Sequence, residues 1–112
     1  MPTFEPGAVV KIPFPYTNRD LSQARPALVV AGDEGHHLLW VLMITSAEHR
    51  RWPGDVEILD AEGLAGAGLP HPSVIRTAKI ATIEAGAATR LGLVGPDRLN
   101  AVRRHLAARL GL

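Results

Sequence analysis

The chain has 112 residues, 46% of them hydrophobic, no cysteine, and twelve Lys and Arg against eleven Asp and Glu. That length supports one core and predicts a single domain over residues 1–112, and the lack of cysteine excludes disulfide scaffolds and thiolate metal sites. A net charge of +1 does not advertise a polyanionic partner, and neither a secretory leader nor a membrane span is predicted, so a soluble cytoplasmic protein is expected.

The first predicted strand is Ala8–Phe14, β-branched and opened by Gly7. Pro13 cannot donate to a ladder, so this strand is an edge or ends there. Pro15 to Ala24 reads as a loop of a length more often functional than incidental. Pro26–Ala31 is the second strand, with proline at its tolerated first position, and Gly32 to Gly35 is a turn. His37–Thr45 is the third. Its apolar run Leu38–Ile44 does not alternate, which predicts burial on both faces, by the core on one side and a helix or second subunit on the other. Asp55–Leu59 alternates cleanly and reads as a half-exposed strand. Gly63 to Pro72, rich in glycine and proline, reads as a loop. Ser73–Arg76 and Lys79–Ile83 form one or two further strands.

The period then changes. Leu99, Val102, Leu106 and Leu110 mark one stripe of a C-terminal helix, with Pro96 and Asp97 near its first turn and Gly111 to close it. Arg103, Arg104 and Arg109 read as its wet face. The sum is a small antiparallel barrel, mainly β, with a C-terminal α-helix packed against it.

A polar site emerges at one end of this scaffold. If the 32–35 turn joins antiparallel strands, the partner of Arg25 falls near residues 42–44, just short of Thr45. Both groups then sit at the open end of one hairpin, where facing Cβ atoms are about 5 Å apart. Pro26 biases Arg25 toward extended backbone, which aims the guanidinium. A guanidinium fork and a hydroxyl suit stabilisation of a dianionic phosphorane. An arginine paired with an acid and a threonine that merely ends a strand fit the same two positions.

The whole chain resembles the MazF/PemK family of toxin ribonucleases. The resemblance is carried by Gly7–Thr17, Ala24–Val30, Ile44-Thr45-Ser46, Pro72–Arg76 and Lys79–Ile83, in that order. It implies an SH3-like barrel, a homodimer, and a metal-independent endoribonuclease without cofactor. Such an enzyme cuts single-stranded RNA by 2′-OH attack, and a cognate antitoxin blocks it. Carried over by position, Arg25 and Thr45 fall on catalytic residues, and Arg76 on an arginine that some relatives use as general acid. Those relatives carry an aspartate two residues later, where this chain has Ala78. That departure leaves the general base open. It also keeps a second reading in view, a non-catalytic toxin or RNA-binding regulator on the same fold, such as a gyrase poison.

Gln23, Ser46, His49 and Lys79 are the candidate substrate-binding residues; for His49 a plain surface-loop role weighs more. His36-His37 makes a poor chelate, because adjacent strand residues point to opposite faces. Trp52 and Tyr16 offer rings for base stacking, with a packing role as strong for Trp52 and stronger for Tyr16.

Overall fold

A computed structural model describes residues 4–13 and 24–112. The elements in chain order are β1 (Ala8–Pro13), β2 (Ala24–Asp33), β3 (Leu38–Ser46), β4 (Val56–Ile58), α1 (Ala61–Ala67), β5 (Ser73–Glu84), a 3₁₀ turn (Ala85–Ala87), β6 (Thr89–Leu93) and α2 (Pro96–Leu110). The six strands form one antiparallel sheet in the order β4-β5-β3-β2-β1-β6, curled into a half-barrel. Phe14, Tyr16 and Gln23 lie outside the described residues.

The non-alternating run in β3 has the expected cause. Leu39, Val41 and Met43 belong to one buried cluster with Val10, Ile12 and Val29. Leu42 and Ile44 belong to a second, on the other face, with Val9, Leu28, Ile58 and Ile75. Helix α2 covers this second face with fully buried Val102, flanked by Leu99 and Leu106. The stripe ends there, because Leu110 is 57% exposed beyond the sheet's reach. Pro96 occupies the first turn with Asp97, and Gly111 caps the C-terminus in the left-handed region, its N–H donating to the Ala107 carbonyl.

Three expectations change. The β2–β3 turn falls at residues 34–37, later than 32–35, with His37 at a φ of 56°. His36 and His37 are therefore turn residues, and the His36 ring bonds Asp33. The Gly63–Pro72 stretch is not all loop, because α1 occupies its first half. Asp60 accepts the Gly63 N–H as N-cap, and Gly68, at a φ of 70°, closes the helix. The glycines here serve close packing: a Cβ on Gly68 would lie 2.1 Å from the Leu91 carbonyl oxygen, and one on Gly92 would lie 2.3 Å from that of Gly66. Finally, β5 takes the one-strand form of the expected pair, and β6 is an additional, unexpected edge strand paired with β1.

Candidate functional site

The open end of the β2–β3 hairpin sets the geometry. Ala27 pairs with Met43, and continuing that antiparallel register by two residues puts Arg25 opposite Thr45. The later turn moves the partner of Arg25 from 42–44 to Thr45 itself. Alternation places both side chains on the face of Val29 and Met43, and Ile12, the cross-strand partner of Arg25, belongs to that same face. Arg25 is exposed and Thr45 half-buried.

Strand β5 completes the site by breaking its own ladder. Pairing steps from Leu42↔Ile80 to Ile44↔Ile75, so β5 uses more residues than β3 over this stretch. Such a bulge re-aims side chains, and the segment that bulges holds Arg76 and Lys79. Both line the same groove as Arg25 and Thr45.

That groove measures about 530 Å³, and Ser46, His49, His71 and Ser73 also contribute to it. Every candidate among the described residues therefore faces one cavity: Arg25, Thr45 and Arg76, with Ser46, His49 and Lys79. A larger cavity of about 780 Å³ lies by the β2–β3 turn, walled by Phe4, Val30, Leu38 and Leu39. None of the candidates lines it.

The groove's two arginines are held differently. Arg76 is only 6% exposed. Its guanidinium lies 4.0 Å from the centre of the Trp52 ring, and Nη2 donates to the Arg50 carbonyl at 2.7 Å. Nε faces the buried Asp55 carboxylate at 3.8 Å, too far for a hydrogen bond. Asp55 Oδ2 in turn accepts the Trp52 backbone N–H at 2.9 Å. Trp52 thus floors the guanidinium, and Lys79 Nζ stands 5.9 Å from the same ring.

The loop that makes these contacts is itself fastened. Arg51 donates to the carbonyls of Ala47 and His49 and to Glu57, which holds the loop in shape. From α2, Arg109 donates to the Pro53 carbonyl and to Thr77 Oγ1, and Thr77 donates to the Gly54 carbonyl. Arg109 is more than wet-face charge; it staples the helix end to the groove loop.

His71 is the titratable groove residue that sequence reasoning missed. Its signal was a histidine locked between Pro70 and Pro72 immediately before a strand, inside a stretch that reads as featureless loop. Ser73 Oγ donates to the His71 carbonyl at 2.7 Å.

Comparison with solved structures bears on the fold. The chain is similar to an endoribonuclease in complex with its cognate antitoxin from a mycobacterial species (21% identity, TM-score 0.72, covering 98% of this chain and 97% of that one). It is also similar to a MazE–MazF crystal structure from Deinococcus radiodurans (25% identity, TM-score 0.73, 96% of each chain). A third is the Mycobacterium tuberculosis toxin MazF-mt6 (20% identity, TM-score 0.66, 96% and 98%). A search of curated proteins finds no match. Residues 5–110 match the sequence family described as PemK-like, MazF-like toxin of type II toxin-antitoxin system, and the chain belongs to that family.

Proposed function

We propose that this protein is an endoribonuclease toxin that cleaves single-stranded RNA without a metal or other cofactor. One observation carries the reading: a single groove gathers Arg25, Thr45, Ser46, His49, Arg76 and Lys79. In the reaction, the ribose 2′ oxygen bonds to its own phosphorus and the P–O5′ bond breaks. A cyclic phosphate and a 5′-hydroxyl result. The pentacoordinate centre carries two negative charges, which the Arg25 fork grips while the Thr45 hydroxyl donates to an equatorial oxygen. Arg76, fixed in the wall, and Lys79 add positive potential along the strand. Ser46 and His49 contact the substrate, as does Gln23.

The molecule works as a single-domain cytoplasmic toxin, paired as a homodimer and restrained by a cognate antitoxin over the groove. The antitoxin complexes among its structural neighbours support that partner. Among the described residues no helix is long and apolar enough to cross a membrane.

Incubation of the purified protein with a long synthetic messenger RNA in EDTA tests the reading. Fragments ending in cyclic phosphate are expected, and Arg25→Ala and Thr45→Ala should each slow their appearance roughly 10²–10³-fold. An intact protein that cuts nothing overturns the enzyme reading. Binding without cutting would favour the regulator that Ala78 allows, and cleavage that survives both substitutions would put the chemistry elsewhere.

A further inference from the structure

Neither Arg25 nor Thr45 accepts a proton at neutral pH, yet the attacking 2′-hydroxyl must lose one. Among the described residues lining the groove, no side chain is a carboxylate; the titratable groups are Arg25, His49, His71, Arg76 and Lys79. Charged guanidinium and ammonium groups have no lone pair to offer, and the hydroxyls of Thr45, Ser46 and Ser73 are weak bases. Ala78, two residues after Arg76, offers a methyl group and no acceptor. Imidazole is the remaining chemistry, and it is the side chain suited to proton transfer near neutrality.

Resting on the cleavage reading above, we propose that His71 accepts the 2′-hydroxyl proton and that His49, protonated, donates to the departing 5′ oxygen. His71 is assigned as the acceptor because its loop is bonded beside Thr45, with Ser73 paired to Ser46 in the β3–β5 ladder. Pro70 and Pro72 fix the dihedrals on either side. Leu69, just before them, is buried in the core, and its N–H donates to the Leu64 carbonyl at 2.9 Å. On the other side the Ala47 N–H donates to the Pro72 carbonyl at 2.9 Å, and Ser73 Oγ binds the His71 carbonyl. The loop is thereby stitched to β3 within two residues of Thr45. His49 sits on the turn that follows, its N–H donating to the Ser46 carbonyl at 3.2 Å and its carbonyl accepting from Arg51 at 3.1 Å.

The step balances without a further reactant. The 2′ O–H bond breaks as the 2′ O–P bond forms, and the proton goes to the His71 imidazole. The P–O5′ bond breaks as the 5′ oxygen takes the proton of the His49 imidazolium. Solvent exchange restores both rings. The groups sharing the groove with these rings are Arg25 from β2 and Arg76 and Lys79 from β5, all cationic.

The test compares pH–rate profiles of the full chain on the same messenger RNA in EDTA. Binding is followed separately on a 2′-deoxy version that cannot be cut. His71→Gln should lower kcat roughly 10²–10³-fold, flatten the acid limb of the profile and leave binding of the deoxy strand unchanged. Added imidazole should restore part of the rate to His71→Ala, and His49→Gln should flatten the alkaline limb. A wild-type kcat and an intact acid limb in His71→Gln overturn the assignment alone. So does a loss confined to binding. A wild-type protein that cuts no RNA overturns the cleavage reading and this assignment together.

Discussion

Arg25 and Arg76 line the same groove in contrasting states. Arg25 stands exposed at the start of a strand, oriented by the proline that follows it. Arg76 is embedded, its guanidinium laid on Trp52, bonded to the Arg50 carbonyl and facing buried Asp55. A charge in water loses little on removal, whereas a charge taken out of water is tied to the groups that compensate it. The contrast teaches that the groove presents one arginine to solvent and ties the other into the wall that shapes it.

Chemical denaturation gives the sharpest break of that comparison. Arg76→Ala leaves the Asp55 carboxylate buried beside a void, and the expected loss is about 3 kcal/mol, at the lower end for a severed buried pair because Asp55 keeps the Trp52 N–H. Arg25→Ala should stay within about 0.5 kcal/mol of wild type. Pairing Arg76→Met with Asp55→Asn removes both charges and should recover part of the loss. Equal destabilisation by the two single arginine variants would erase the distinction.

The next effect concerns the staple behind the wall. Thr77 is fully buried and both donates to the Gly54 carbonyl and accepts from Arg109. Thr77→Val keeps the shape and removes both bonds, at an expected cost of about 1–2 kcal/mol. Because the stapled loop carries Arg50 and Trp52, KM for RNA should rise more than kcat falls. A kcat loss with unchanged KM would mean that Thr77 acts on the chemistry and not through the wall.

These contrasts also mark what was legible in the chain. The buried strand β3 announced itself by an unbroken apolar run, and Arg25 with Thr45 by proline and hairpin register, which are local signals. The setting of Arg76 was not legible, because Trp52, Asp55 and the Arg50 carbonyl reach it from a loop more than twenty residues away in sequence. Helix α1 was hidden for the opposite reason. Gly63, Gly66 and Gly68 are strong local breakers, and the need for glycine at 68 comes from its left-handed cap and its approach to the Leu91 carbonyl, which lies far along the chain. Strand β6 is short and exposed, so it lacks the alternation that would reveal it.

The smallest expected effect serves as the control, on a surface pair. Arg90 Nη2 donates to Glu5 Oε1, near the other cavity and away from the groove. The hydrogen bond from Arg90 holds the Glu5 carboxyl below its ordinary 4.5. A carboxyl depressed on folding stabilises fully above its ordinary value, and the contribution fades as pH falls through the lower folded value. Glu5→Gln should therefore lower Tm slightly at pH 7, since solvent screens the pair, and the gap to wild type should close in strong acid. Cleavage should be untouched at every pH where both proteins are folded. A Tm gap that persists in acid would mean the glutamine disturbs packing and not charge. A cleavage defect would mean that exposure alone does not separate structural cations from those that meet the RNA.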